Sequence, residues 1–176
     1  VGVCHSWENY LAPLVAGKLT CWTTGVDTGW ARWLGLGKAF RAFDGVQQLA
    51  DALVAFLRRE PQPTYLSIDK DVFAADVVRT NWDQGQMHES DATRIIDALR
   101  GQIVDSDITG DVSAWRYASW WKRWLSAGDG QDTQIAPDEL ARAHLGQHAL
   151  NVRLLGRIAQ CRSTASFFSD AANHHV

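Results

Sequence analysis

Hydrophobic positions recur at helical spacing most clearly between Asp44 and Arg59. Val46, Leu49, Ala50, Leu53, Val54 and Leu57 fall three and four residues apart, which gathers them on one face of a helix. Asp44 stands where an N-cap belongs. Arg58 and Arg59 occupy the last turn, where cations suit the helix dipole, and Pro61-Gln62-Pro63 ends the pattern. The period then changes. Thr64–Asp69 (TYLSID) reads as a short, buried, parallel strand with its polar residues at the C-terminal end. A second helix is predicted over 90–100, capped by Ser90, with Ala92, Ile95, Ile96 and Leu99 as its apolar face. Ile103–Thr109 (IVDSDIT) is a second strand, again ending in carboxylates. Strand, helix and strand with short joints form a βαβ unit, which predicts a parallel sheet with a right-handed crossover.

The flanks are less regular. Tyr10–Ala16 is apolar but broken by Pro13, Lys18–Thr23 alternates like a short strand, and Gly25–Gly37 has the Gly and Trp content of a structured loop. After Gly110 a helix is expected with Tyr117, Trp121, Trp124 and Leu125 on one side, followed by a turn at Gly128–Gly130. Pro137, Asp138 and Glu139 then open a long helix running through Leu140, Ala143, Leu150, Leu154 and Ile158 towards Cys161. Residues 162–176 form a small, polar tail with Phe167 and Phe168. The organisation expected is one α/β domain over 1–161 followed by that tail.

Composition narrows the class. The chain is 46% hydrophobic and 21% charged, within the globular range. Net charge is −3, which argues mildly against nucleic acid or an anionic membrane as the main partner. No apolar run reaches the length of a membrane span, and no signal peptide is visible at Val1–Tyr10. Cys4, Cys21 and Cys161 are odd in number and far apart, so the expected setting is reducing and cytoplasmic. No Cys/His zinc spacing occurs. The chain opens at Val1 without methionine, in text that reads as the end of a strand, which is the expectation for the C-terminal part of a longer protein. Homo-oligomerisation is left open.

The candidate chemistry lies at the strand ends, where open α/β sheets place their ligands. Asp69 and Asp71 follow the first strand, and Asp105, Asp107 and Asp111 lie on or after the second. Residues two apart on a strand share a side, so Asp69 and Asp71 converge if the strand geometry persists. Two carboxylates that close repel unless one is protonated or a cation lies between them, and hard divalent ions take such oxygen ligands. The bland alternative is a helix cap or a solvated pair.

The segments LSIDKDVF (66–73), TNWDQG (80–85) and IVDSDITG (103–110), with a helix before the last, resemble the ureohydrolase superfamily of arginases, agmatinases and formimidoylglutamases. The resemblance covers roughly residues 64–115 and is most specific at Ser67-Ile68-Asp69-Lys70-Asp71; it is to a divergent arginase-like branch. It implies a three-layer αβα fold around a parallel sheet. It also implies hydrolysis of a C–N bond in a small-molecule substrate of guanidino, amidino or related amide type. The cofactor implied is Mn²⁺, binuclear if upstream ligands exist, with Asp69 and Asp71 as ligands. Asn81, Trp82, Asp83 and Gly85 fall where the family's substrate loop lies, and His88 and Asp111 are further substrate-side candidates. The chain departs from the family in two places. It has no Asp-x-His-x-Asp motif, and Gly110 occupies the position of the family's substrate-binding Glu, one residue before Asp111. A non-catalytic arginase-like interaction domain with an incomplete metal site is therefore the alternative.

Other features carry less. His144 and His148 are four apart on the long helix but lack the HExxH pattern, because Leu145 stands at the Glu position; a solvated or partly packed pair is expected. His174 and His175 are expected as surface features of the tail. Cys4 beside His5 is no nucleophile motif. The set Trp115, Trp120, Trp121 and Trp124 is either a binding face or core packing around one helix, and packing is the commoner outcome. Gly25–Gly37 lacks both P-loop and dinucleotide spacing. A glycosyltransferase using the DxD run would need basic and Gly-rich phosphate contacts, which are missing.

Overall fold

A computed structural model describes residues 16–24, 28–82, 84–114, 118–128 and 135–162. In chain order the elements are β1 (Cys21–Thr24), α1 (Gly29–Trp33), β2 (Phe40–Phe43), α2 (Val46–Arg59), β3 (Thr64–Asp69), α3 (Glu89–Ala98), β4 (Ile103–Thr109), α4 (Trp120–Gly128) and α5 (Pro137–Cys161). Short 3-10 turns lie at Gly37–Ala39 and Lys70–Val72. The chain is mixed α/β, with two pairs of parallel strands: β1 beside β2, and β3 beside β4.

The predicted βαβ unit is present as β3–α3–β4. Its two strands align from Tyr65 opposite Asp105 to Asp69 opposite Thr109. One irregularity adjusts the faces. Between Thr64 and Tyr65 the register advances two residues on β4, from Ile103 to Asp105, against one on β3. A bulge of this kind re-aims side chains. It lets Ile103 enter the core, 1% exposed, although Asp105 two residues later faces out. Leu66, Ile68 and Ile108 join Phe73, Ile96, Leu99, Ile103, Leu150, Leu154 and Ile158 in one apolar cluster between this sheet, α3 and α5. The opposite side of β3 alternates outward at Tyr65, Ser67 and Asp69. The strand expected to be buried is thus covered on one side only.

Helix α5 is the long helix expected, 25 residues with Pro137 in its first turn and Asp138 and Glu139 beside it. Its buried stripe is Gln147, Leu150, Leu154, Ile158 and Cys161. Two ion pairs clamp it to α3: Arg153 meets Glu89 through two bonds of 2.8 Å, and Arg157 meets Asp97. After α5 the chain returns beside β4 through a parallel bridge from Arg162 to Ile103. Helix α2 packs against α3, β1 and β2, burying Ala50 and Val54. Trp22 of β1 stacks on Phe43 with centroids 5.4 Å apart, and Arg41 lies over its ring at 4.8 Å.

Two caps and two elements differ from the sequence reading. Gly45, rather than Asp44, is the N-cap of α2, while the Asp44 N–H donates to Gln48 Oε1 at 3.1 Å. His88, rather than Ser90, precedes α3 as its N-cap. The Gly25–Gly37 stretch, expected as a loop, contains α1, and β2 was not anticipated at all. Among the described residues no helix is long and apolar enough to cross a membrane. The readings at Cys4, His5, residues 10–15, Asp83, Trp115, Tyr117 and the tail from 163 onward fall outside the described residues.

Candidate functional site

The carboxyl ends of β3 and β4 meet at a close backbone approach. Gly110 follows β4 with φ of +82°, and a Cβ there would strike Asp69 Oδ1 and come within 2.9 Å of the Lys70 backbone nitrogen. Only glycine accepts both the left-handed backbone and the missing space. Asp69 leaves β3 as the N-cap of the Lys70–Val72 turn, its Oδ1 accepting from the Asp71 N–H at 3.3 Å. Asp69 is exposed, Lys70 fully buried and Asp71 half-buried.

The two acids are not equivalent. Burial raises the Asp71 pKa above its ordinary value. A Thr80 side-chain hydrogen bond opposes that rise, and the negative charge of Asp69 adds to it. Asp71 Oδ1 is buried with no hydrogen-bond partner. The desolvated and only partly compensated charge makes Asp71 an electrostatic deficit in the fold. The sign follows from linkage. A folded pKa above the unfolded one means that the native state binds more protons between the two values. Stability therefore falls as pH rises through that window, and the deficit is complete above it. Asp71→Asn is expected to raise the urea midpoint at neutral pH, with a gain that shrinks towards zero near the ordinary carboxylate value of about 3.9. A gain that stays constant with pH would mean that the side chain acts through packing and not through its charge.

The outward side of the strand pair extends this acidic character. In register, Tyr65, Ser67 and Asp69 lie opposite Asp105, Asp107 and Thr109. Asp107 Oδ1 is a second buried oxygen without a partner. Partial desolvation, then the charges of Asp107 and Asp105, holds the Tyr65 phenol above its usual pKa.

Most of the remaining candidates are structural neighbours of this edge. The Gly85 N–H donates to the Asp71 carbonyl at 2.7 Å, and the Met87 N–H to the Val72 carbonyl at 3.1 Å. The 84–87 segment thus continues along the turn like a short parallel strand, bridging Phe73 to Met87. Asn81 is buried and its Oδ1 accepts from the Ser113 N–H. Trp82 is half-buried beside it in sequence. His88 is exposed, its N–H donating to Asp91 Oδ2 at 3.1 Å. Asp111 pairs with the Lys70 ammonium. The structure brings Asp69, Asp71 and Gly85 to one turn and ties Asp111 to it through Lys70.

The residues that sequence reasoning missed form the support. Lys70 Nζ is also 3.3 Å from Asn151 Oδ1 of α5. Gln147, 1% exposed, accepts from the Val112 N–H at 3.0 Å and donates to the Arg79 carbonyl at 2.9 Å and to that of Gly110 at 3.4 Å. Gln84 donates to the carbonyls of Phe73 at 3.2 Å and Val78 at 2.6 Å. His144 Nε2 lies 2.9 Å from the Val112 carbonyl, so the His144/His148 pair contributes a partly packed member to the same support. One signal was available. Leu66, Ile68 and Lys70 share strand parity, which points Lys70 inward.

The strand ends at Asp69 and Asp71 lies in the turn that follows, so the shared strand side expected of the two acids does not persist; both remain oxygen donors of the kind a hard cation takes, and Asp71 has a buried, unsatisfied oxygen. Among the described residues no group of three or more His, Cys, Asp or Glu side chains forms a complete metal site. No family model, curated protein or solved structure matches the chain.

Proposed function

We propose that this chain is an arginase-like, metal-dependent hydrolase of C–N bonds, built on a three-layer αβα arrangement around a parallel sheet. Asp69 and Asp71 hold the metal, for which Mn²⁺ is the best candidate. One observation carries the reading: a buried Asp71 oxygen without a partner, beside a second carboxylate, at the carboxyl edge of a parallel strand pair. A cation there would remove the deficit that protonation otherwise has to relieve. A bound divalent ion supplies an acidified water as nucleophile.

The chain's own residues shape what surrounds such an ion. The Lys70–Asp111 pair offsets most of its own charge, although the buried ammonium is still felt at Asp71. Because Asp111 is engaged by Lys70 and Asp105 by Arg162, the acid of the strand pair left to meet a guanidinium or amidinium is the half-buried Asp107. Gly85 fixes the turn by its N–H. Calorimetry with Mn²⁺ tests the reading on the full chain and on Asp69→Ala/Asp71→Ala. Binding by the first that disappears in the second is expected. No binding by the unaltered chain would sink the enzyme reading in favour of a non-catalytic arginase-like interaction domain. The absence of a third ligand among the described residues favours that second reading.

A further inference from the structure

Helix α5 is apolar on two opposite sides. Its inner stripe packs against α3 and β4. On the outer side Ala141, Leu145, His148, Val152, Leu155 and Ala159 recur at alternating steps of four and three residues, and all six are exposed. Leu145 is 71% exposed, Val152 57% and Leu155 48%. Such alternation is the seam spacing of a helix that pairs with another helix. No Lys, Arg, Asp or Glu interrupts the seam. Ala149 and Gly156 lie beside it, and a Cβ added at Gly156 would meet nothing within 4 Å. A helix apolar on both sides is built for two neighbours, and the outer side has no cover among the described residues.

We propose that this seam is a homodimer interface, in which α5 pairs antiparallel with α5 of a second copy about a two-fold axis. The order of the side chains selects that partner. Read from either end, the seam runs small, large, medium, medium, large, small. An axis beside Ala149 and Leu150 therefore sets Ala141 against Ala159, Leu145 against Leu155 and His148 against Val152. Each contact is made twice, as an isologous interface requires. Ala149 meets its own copy on the axis, where its small side chain lets the two backbones approach. Arg142, held to Asp138 at 3.0 Å within its own helix, comes over the open Gly156 and meets no like charge. The seam is about 27 Å long and about 10 Å wide, a patch of the size that marks interaction sites. It is smaller than the roughly 800 Å² that each partner of a stable complex buries, so the dimer is weak and grows in with concentration.

The test is sedimentation velocity on the full chain, in reducing buffer, over a rising concentration series. A monomer–dimer equilibrium is expected. Ala149→Glu sets two carboxylates against each other across the axis and should weaken the dimer by about tenfold or more. Position 149 is exposed, so the urea midpoint of the dilute protein should stay unchanged and exclude misfolding. Cross-linking fixes the direction of pairing. On oxidation Ala149→Cys should give a covalent dimer across the axis. Ala159→Cys, also exposed but opposite Ala141, should give little more than the unaltered chain. A monomer at every concentration, a dimer indifferent to Ala149→Glu, or equal cross-linking through 149 and 159 would overturn the proposal. A monomer whose urea midpoint falls in Ala149→Glu would overturn it in favour of cover by another segment of the same chain.

Discussion

Asp111→Ala is expected to cost about 2–3 kcal/mol of folding stability, and Lys70→Met less than about 1 kcal/mol. The two residues form one ion pair, but their surroundings differ. The Lys70 side chain is fully buried and that of Asp111 is 63% exposed. Removing the carboxylate leaves an ammonium with only Asn151 Oδ1 at 3.3 Å and whatever water can enter where Asp111 stood. A lost partner in a fully buried pair costs roughly 3–5 kcal/mol, and the open side of Asp111 reduces that. Removing the ammonium instead leaves a carboxylate already in water, while methionine refills most of the stem volume. The double variant should therefore resemble Lys70→Met and lie well above Asp111→Ala. Urea midpoints at constant m-value decide the order. Equal losses from the two single substitutions would show that Lys70 is hydrated in solution.

That asymmetry also marks where the sequence was readable. The β3–α3–β4 unit was legible because its pattern shifts from period two to period 3.6 and back within one short stretch, and no tertiary detail is needed to see it. Asp69 and Asp71 were legible as strand-end acids. Their inequality was not, since it arises from the burial of Asp71, and both that cover and the Thr80 hydrogen bond that opposes it lie outside the strand. Lys70 was passed over because a charged residue between two acids is ordinarily solvated, and strand parity is a weaker signal than charge. Gln147 and Asn151 were hidden among apolar positions of α5, where an amide breaks the pattern without announcing a partner.

The tryptophans of α4 teach the complementary lesson. Their spacing predicted a helix with an apolar side, and that helix is present. Packing around it was the commoner expectation, and the exposure of Trp120, Trp121 and Trp124 overturns it. Amphipathicity states which side is apolar and nothing about what lies against it. β2 failed for a different reason: Phe40–Phe43 has too few residues for alternation to stand out after a Gly-rich run. Its partner β1 and the Trp22–Phe43 stack that hold it come from residues far away in sequence.

Gly85→Ala is expected to destabilise by about 2–4 kcal/mol through backbone displacement and weakened hydrogen bonds. An added Cβ would strike the Val72 carbonyl oxygen and lie 2.9 Å from its carbon and 3.1 Å from Val72 Cα. All three are main-chain atoms, so no rotamer change relieves the contact. The segment must move off the turn, and with it the bonds from Gly85 N–H to the Asp71 carbonyl at 2.7 Å and from Met87 N–H to the Val72 carbonyl at 3.1 Å. Gly146→Ala is the control. It lies within α5 with nothing within 4 Å of the new Cβ, and it should stabilise by about 0.5–1 kcal/mol, as alanine does for a helix interior. Because the same turn carries Asp69 and Asp71, Gly85→Ala should also weaken Mn²⁺ binding if the proposed site exists, and Gly146→Ala should leave it alone. The resemblance to a substrate loop gave Gly85 a place beside the substrate, whereas the packing gives it a place against Val72. A Gly85→Ala protein of unchanged stability but altered substrate affinity would restore the first role, because a side chain can be added without cost only if the segment 84–87 stands away from the turn.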